Sequence, residues 1–496
     1  MNRTDRNRYI CVALTALFQG LLLGIYAVIT SGHPALLRLR IIPPKFLAFM
    51  PLPAIFLVPL VFWLSQEHWG RRLWNLLAGL AAVLLALWAY RLWSYGGFLA
   101  GVVPSQKADL IRISLAVFMI VPFFQCRIAS WSWKFPYSEM FFQMCRNLFL
   151  LFQASIVIAV FWGLLITAGL LFDIVGLHFV PLLLFNPVCA VPLTTIIIAV
   201  SISVAIKHPG IDSLGRWLLA VLAWLLPFFS VLSLAFLVCL LWGGSTGLNA
   251  LWNTGQASTL MLLLQAGTII LANAAWLDGS KSAFRTRSID ILAQVSLLCL
   301  PVYSVLCLYS ISLRISQYGL TSDRVQALFL AVTAGIWGVA YAGTVIARNW
   351  PVSIGRVNIA CILFVALLVI LMNSPVLDPL RLSAEDQISR LKSGEIQPED
   401  FDYKYLASLG RYGREKLDIL STSNDMVGPE SPKEITQGGI TFVFSPSKVR
   451  LLSQDKSLIG TIYGYFPPNV SRSVKPVPVP PDYEIDGTIY RPDYAR

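Results

Sequence analysis

The chain has 496 residues, of which 56% are hydrophobic and 13% charged, and its mean hydropathy is +0.68. Soluble domains carry about 25% charged residues, so this composition excludes an ordinary water-soluble enzyme and predicts a polytopic membrane protein. Residues 1–377 contain 23 Lys and Arg against 9 Asp and Glu, whereas residues 378–496 contain 15 against 17. The positive excess therefore belongs to the apolar region, where cytoplasmic loops explain it better than a nucleic-acid-binding surface does.

A membrane-spanning helix needs about 20 mainly apolar residues. Eleven segments meet that requirement: 9–30, 46–65, 74–93, 108–126, 147–172, 188–206, 217–241, 259–278, 288–313, 322–347 and 357–376. The fourth is the weakest, because Arg112 lies inside it and Pro122 interrupts it. The sequence thus predicts an all-α polytopic membrane protein with about eleven transmembrane helices and a transmembrane domain over residues 1–377.

The distribution of Lys and Arg in the short loops predicts the orientation. If the N-terminus is cytoplasmic, the cytoplasmic segments carry fifteen basic residues and the opposite side carries eight. Basic residues are enriched in cytoplasmic loops. We therefore expect a cytoplasmic N-terminus and, after an odd number of spans, a C-terminus on the other side, which is the periplasm in a Gram-negative cell.

Proline interrupts several of these spans in a similar local sequence. The phrases "VPFFQ", "LPFFS" and "LPVYS" contain Pro122, Pro227 and Pro301. Broken helices in matching positions mark the binding sites of many transporters. Kinked but ordinary helix packing also explains prolines in spans, and it is the preferred interpretation.

Polar residues within spans are the best indicators of a functional site. In the eighth span Gln265, Thr268 and Asn273 fit within an arc of about 140°, so they can face one interior. One interpretation is a path for a lipid-like or small-molecule cargo. Hydrogen bonding between helices explains the same residues without a ligand and is preferred.

A second candidate lies between the ninth and tenth spans, in "LRISQYGLTSDRV". Gly319 is typical of a tight turn there. Arg314, Asp323 and Arg324 form a candidate outer-face anion site, because exposed guanidinium groups bind phosphate. The alternative, which we prefer, is a local ion pair between Arg314 and Asp323 that stabilises the hairpin.

No motif predicts catalysis, a metal or a cofactor. The eight cysteines contain no C-x-x-C pair, the four histidines are scattered, and G-x-S-x-G, H-E-x-x-H and the Walker loop are absent from the sequence. The competing class is an envelope enzyme acting on a lipid-linked glycan or phospholipid at the outer face. Its acid or base would come mainly from Asp109, Asp173, His178 or Asp323.

The polar tail divides into two regions, which together predict a small α+β extracytoplasmic C-terminal module. Residues 378–422 are expected to be helical, with Ser383 capping the first helix and Gly394 ending it. Residues 423–496 contain the strand-like segments "ITFVFS", "KVRLLS" and "TIYGYF", followed by a Pro-rich arm. The helices have one apolar face each, which suggests that they dock on the membrane domain or on an envelope protein.

Three segments resemble a bacterial family of multi-pass inner-membrane proteins known as domain of unknown function number four-one-five-three. They are "NSPVLDPLRLSAEDQISRLKSGEIQPEDFDYKYLASLGRYGREKLDIL" (373–420), "RISQYGLTSDRVQAL" (314–328) and "LWNTGQAS…ILANAAWLDG" (251–279). The resemblance extends to about residue 420. It implies a location in the bacterial cytoplasmic membrane and implies no activity, ligand or catalytic residue. The polar face of the eighth span, the prolines within spans and the lack of catalytic motifs favour a non-catalytic protein of transport or envelope-associated processes.

Overall fold

The computed structural model describes residues 3–463 apart from segments 31–49, 97–105, 131–134, 175–184, 208–209, 254–255, 278–286, 349, 351, 398–400, 423–432, 438–439, 446–447 and 453–457. Its helices are α1 (Arg3–Thr30), α2 (Leu52–Ser65), α3 (Arg71–Ser94), α4 (Gln106–Ser130), α5 (Tyr137–Ile174), α6 (Pro187–Ala205), α7 (Gly210–Trp242), α8 (Gly244–Asn253), α9 (Ala257–Trp276), α10 (Arg287–Leu298), α11 (Leu300–Tyr318), α12 (Ser322–Ile346), α13 (Ile354–Met372), α14 (Pro379–Lys392), α15 (Tyr403–Ser408) and α16 (Gly410–Thr422).

Within the described residues, ten helices are long and apolar enough to cross a membrane, with α10 and α11 counted as one. They match ten of the eleven predicted spans, including the weak fourth. The exception is the predicted span 46–65, of which the structure describes a 14-residue helix, α2. At 1.5 Å per residue α2 measures about 21 Å, less than the ~30 Å hydrocarbon core. A multi-pass helical membrane protein is confirmed, whereas the count of eleven is not.

The recurring proline phrase does not mark matching breaks. Pro122 and Pro227 lie inside the uninterrupted helices α4 and α7. Pro301 adjoins a break, because α10 ends at Leu298 and α11 begins at Leu300. Neighbouring helices must satisfy the carbonyl groups that these prolines leave unpaired.

The chain divides into two compact units. The first comprises residues 1–89, 105–313 and 327–371. Its interior is apolar, and Trp63, Trp276 and Tyr341 are among its largest fully buried side chains. Its outer surface is apolar as well, since the side chains of Trp224 and Phe228 are 73% and 72% exposed. Apolar residues on both the inside and the outside are expected for helices surrounded by lipid.

The second unit comprises residues 90–104, 314–326 and 372–496. Leu380, Ala384, Ile388, Phe401 and Leu406 are buried together in the core of α14–α16, and Tyr95 packs against them. This core joins the tail helices to the end of α3, so that helices far apart in sequence share one apolar cluster.

The first tail helix begins earlier than the sequence predicted. Its N-cap is Asp378, whose side chain accepts a hydrogen bond from the Leu380 N–H, and Pro379 follows at the first helical position. The prediction of Ser383 as the cap is wrong, because Ser383 lies one turn inside the helix. The predicted stop is correct in position: α14 ends at Lys392, and Gly394 has a φ of +78°.

Four strands follow: β1 (Lys433–Gln437), β2 (Ile440–Ser445), β3 (Lys448–Leu452) and β4 (Leu458–Tyr463). They pair in chain order as an antiparallel sheet, with Ile435 opposite Phe442 and Val449 opposite Ile462. The α+β module that would combine these strands with α14–α16 in one folded domain stays a prediction. The predicted Pro-rich arm lies outside the described residues.

Candidate functional site

The candidate residues of the eighth span lie on α9, where two of them are fully enclosed by protein. Gln265 is 0% exposed and Thr268 1% exposed. The Ser304 hydroxyl of α11 donates to Gln265 Oε1 at 2.8 Å, and Thr268 donates to the Leu264 carbonyl of its own helix at 2.8 Å. Both side chains are thus engaged in contacts within and between helices.

Asn273, the third candidate, belongs to a hydrogen-bonded group that we call the membrane network: Tyr137, Asn273, Trp337, Tyr341 and Asn358. Asn358 donates to Asn273 Oδ1 and to the Tyr137 hydroxyl, each at 2.6 Å. Its own Oδ1 accepts from the Tyr341 hydroxyl at 2.7 Å and from Trp337 Nε1 at 3.0 Å. Asn273 also donates to the Tyr341 hydroxyl at 2.8 Å.

The membrane network joins four helices, α5, α9, α12 and α13, in one set of contacts. Asn358 uses both of its donor hydrogens and both acceptor positions of its oxygen. A buried amide that is fully satisfied holds helices in register and has no free hydrogen-bonding capacity for a ligand. A cavity of about 300 Å³ in the same unit is lined by Gln125, Cys126 and Glu139, among others, and by none of the three candidates.

In the second unit, a buried ion pair joins the end of α3 to the start of α14. Arg91 Nη1 donates to Asp378 Oδ1 at 3.1 Å, and the two side chains are 5% and 0% exposed. The Tyr90 hydroxyl donates to Asp378 Oδ2 at 2.8 Å and lies 2.9 Å from the Tyr412 hydroxyl. Since a carboxylate only accepts, Tyr90 is the donor to Asp378 and accepts from Tyr412. The carboxylate is therefore compensated by a charge and by neutral donors.

The tail also holds the turn between α11 and α12. The Leu320 N–H donates to Asp386 Oδ2 at 2.7 Å, and the Ser383 hydroxyl donates to the Leu320 carbonyl at 2.8 Å. The Ser322 N–H donates to the Tyr405 hydroxyl at 2.9 Å. Burial raises the pKa of Tyr405, which is therefore a neutral hydroxyl at physiological pH. Ser383 thus hydrogen-bonds the turn instead of capping its own helix.

Close packing at this turn is visible at Gly319, which has a φ of +75°. A Cβ atom there would lie 2.6 Å from Gln387 Nε2 and 2.8 Å from Arg390 Nη1. Arg390 donates to the carbonyls of Ile315 and Ser316 at 3.2 and 3.4 Å, near the end of α11. The left-handed backbone favours glycine here, whereas the Gln387 and Arg390 side-chain ends could shift to make room for a Cβ atom.

The predicted ion pair between Arg314 and Asp323 is not the contact that stabilises the hairpin. Asp323 is exposed and forms no ion pair with any residue that the structure describes. Arg324 donates to the Gly319 carbonyl at 2.7 Å and lies over the Tyr318 ring, 5.2 Å from its centroid. The hairpin is stabilised by hydrogen bonds from the tail instead of by that ion pair.

The acid and base candidates for an envelope enzyme have different environments. Asp109 pairs with Arg112 one turn along α4, which neutralises the charge inside the fourth span. Asp173 is exposed near the end of α5, and His178 lies outside the described residues. Of the four, Asp323 is the one in the same unit as Arg314 and Arg324. The described residues contain no group of three metal-ligating side chains.

Sequence reasoning missed several residues of both sites. Apart from Arg356 in its first turn, α13 is apolar except for Asn358, and that was the available signal for the role of Asn358. Arg91 and Asp378 are separated by 287 positions, and a single sequence carries no signal for their contact. Arg390 and Tyr405 contact the hairpin from the distant tail, and a single sequence carries no signal for these contacts either.

Comparison with known proteins supports the resemblance found in the sequence. The family model described as "Domain of unknown function (DUF4153)" matches residues 52–420, about three quarters of the chain. The curated proteins and the solved structures each gave no match. The matched range begins with α2 and ends in α16, so it includes the membrane network and the tail helices. The chain belongs to the family of proteins with the domain of unknown function DUF4153.

Proposed function

We propose that this protein is a non-catalytic component of the bacterial cell envelope, embedded in the inner membrane. Its tail helices form a fixed platform on the periplasmic side, and an envelope protein docks on the C-terminal module, residues 378–496. The observation that carries the proposal is the buried pair of Arg91 and Asp378, which attaches the tail firmly to α3. A tail built into the protein in this way is suited to presenting a partner at a defined position.

The contacts of the polar residues of α9 favour a structural role for the membrane region rather than a transport role. Gln265 is bonded to Ser304, and Asn273 belongs to the saturated membrane network. A carrier needs polar groups that exchange partners when cargo arrives. The contacts of these side chains instead connect helices, which suits a rigid scaffold.

Contacts near the start of α1 support the proposed topology of the first spans. The Lys207 ammonium lies over the Tyr9 ring at 4.8 Å, and Arg146 binds both the Ile206 carbonyl and Glu67. The start of α1 and the end of α2 therefore lie at one end of this unit. Helix α3 begins four residues after Glu67 and has 24 residues, about 36 Å, which is enough to carry the chain across the bilayer.

The direction of α2 supports counting it as a crossing. Trp63 Nε1 donates to Thr15 Oγ1 at 3.1 Å, and Gln19 donates to the Phe56 carbonyl at 3.3 Å. These two contacts make α2 antiparallel to α1. The end that holds Tyr9 also carries Arg71, Arg72, Arg146 and Lys207, which the positive-inside rule assigns to the cytoplasm.

Complementation of a deletion strain tests the proposal, with growth on an envelope-disrupting detergent as the measurement. A chain that ends at Thr422 should insert but fail to complement, because residues 423–496 of the docking module are gone. The double variant Gln265→Leu and Asn273→Leu should complement. The opposite pattern, with the truncated chain active and the double variant inactive, would show a carrier.

A further inference from the structure

Among the described residues, Arg324 is a fixed guanidinium group that forms no ion pair with a carboxylate. One of its nitrogens donates to the Gly319 carbonyl, and its plane lies over the Tyr318 ring. It forms no ion pair with any described residue. Its remaining N–H groups are available, since a guanidinium has five donors, and the side chain is partly exposed.

Two further guanidinium groups are gathered at the same turn. Arg314 and Arg390 are both close enough to Arg324 to repel its charge. Arg314 belongs to α11 and Arg390 to α14, so the site forms only when the tail is in place. Arg390 is fixed by the Ile315 and Ser316 carbonyls and by an ion pair with Glu395 at 3.1 Å.

Collecting like charges opposes folding unless a counter-charge is present. No carboxylate among the described residues forms an ion pair with Arg324: Asp386 of α14 binds the Leu320 N–H, and Glu395, which follows α14, pairs with Arg390. Planar guanidinium groups match phosphate oxygens in pairs of parallel hydrogen bonds. The Tyr318 ring, 59% exposed, lies beside them at the end of a membrane-spanning helix, where aromatic residues meet lipid headgroups.

We propose that Arg324, flanked by Arg314 and Arg390, binds the phosphate group of an anionic ligand at the turn between α11 and α12. The phosphate belongs either to a lipid headgroup or to a soluble phosphate compound. Asp323, which the sequence grouped with the two arginines, is not part of the site. The proposal does not depend on the docking role of the tail.

The test uses the purified full-length protein and compares Arg324→Gln with Arg381→Gln. Arg381→Gln is the matched control, because it removes one positive charge as well. Arg381 lies on α14 and pairs with Glu385 at 2.8 Å. Native mass spectrometry measures the binding of phosphatidylglycerol, with phosphatidylcholine as the neutral comparison. Arg324→Gln should weaken phosphatidylglycerol binding about tenfold or more, the effect of losing charge-assisted hydrogen bonds, and Arg381→Gln less than twofold.

Added inorganic phosphate distinguishes the two sources of the group. If it displaces the lipid from the wild-type protein, the site accepts soluble phosphate; if it does not, the ligand is a headgroup. Arg324→Lys keeps the charge and the fold but loses the paired geometry, so it should bind with intermediate affinity. The proposal would be overturned if the wild-type protein, Arg324→Gln and Arg381→Gln bound phosphatidylglycerol equally and also bound inorganic phosphate equally.

Discussion

Asp378 combines a helix cap, an ion pair and a hydrogen bond to tyrosine in one buried carboxylate. Replacing it by Asn keeps the shape and removes the charge, which leaves the buried Arg91 without its counter-charge. Such a change costs about 3–5 kcal/mol. We expect Asp378→Asn to release the tail helices, measured as faster trypsin cleavage after Arg411 and Arg414 in the purified protein.

The control for this prediction is Arg381→Gln on the same helix. Arg381 and Glu385 form an exposed pair at successive turns of α14. Exposed pairs contribute about 0–1 kcal/mol, so cleavage should stay close to the wild-type rate. Equal protection of Asp378→Asn and Arg381→Gln would show that the buried pair does not hold the tail.

Asn358 is the residue on which the membrane network depends. Asn358→Leu removes four hydrogen bonds and leaves the Tyr137 and Tyr341 hydroxyls with fewer partners. Single hydrogen bonds between membrane helices contribute about 0.6 kcal/mol, so we expect a loss of about 2 kcal/mol. The measurement is the unfolding free energy in mixed micelles with increasing dodecyl sulfate.

Thr268→Val is the matched change for comparison, because Thr268 bonds only to its own helix. It should alter the unfolding free energy by less than about 0.5 kcal/mol. If Asn358→Leu unfolds at the same detergent fraction as Thr268→Val, the network contributes nothing to stability.

At the scale of the element, the apolar runs contain enough information to locate the helices. Length and hydropathy alone predicted ten of the spans that the structure describes, because burial in lipid requires the same composition in any tertiary context. Helix termini were harder. The pair Asp378–Pro379 is typical of an N-cap followed by the first helical residue. Ser383 also matches the capping-box pattern, and for that reason the sequence predicted the wrong cap.

Gly410 tests how closely the tail approaches α3. It has a φ of +66°, and an added Cβ would lie 2.7 Å from the Ser94 carbonyl oxygen and 2.9 Å from Tyr95 Cα. These are backbone atoms that cannot rotate away. Gly410→Ala should therefore lower the thermal unfolding midpoint of the purified protein, because it combines backbone strain with overpacking of about 1–3 kcal/mol.

Gly394→Ala separates the two contributions. Gly394 has a similar φ of +78°, but an added Cβ would have no neighbour within 4 Å. It should cost only the strain of a left-handed residue, about 1 kcal/mol. Equal unfolding midpoints for the two variants would mean that the tail does not pack against Ser94 and Tyr95.

At the scale of the whole molecule, the sequence indicated which residues are polar but not which of them meet. Gln265, Thr268 and Asn273 share a helix, so their common face was predictable from periodicity. Their partners lie on other helices, and the contacts of the tail cross hundreds of positions. Such contacts depend on the packing of the assembled chain, which a single sequence does not reveal.

Because the tail helices depend on contacts with distant parts of the chain, we predict that the tail does not fold by itself. Helices α14, α15 and α16 have 14, 6 and 13 residues, lengths that are marginal in water. Their partners at Arg91, Tyr95 and Leu320 lie outside residues 378–496. Expressed alone, this segment should show weak helical circular dichroism and no cooperative melting, whereas a cooperative transition would indicate an independent domain that the membrane region merely anchors.

The proposed topology puts the tail in the periplasm, and reporter fusions in intact bacteria test that location. Alkaline phosphatase, active only in the periplasm, and green fluorescent protein, fluorescent only in the cytoplasm, are each fused after Arg496 and after Gly70. We predict phosphatase activity after Arg496 and fluorescence after Gly70, because the proposed topology counts α2 as a crossing that returns the chain to the cytoplasm. Fluorescence after Arg496 would overturn this topology, since both ends of the chain would then lie in the cytoplasm.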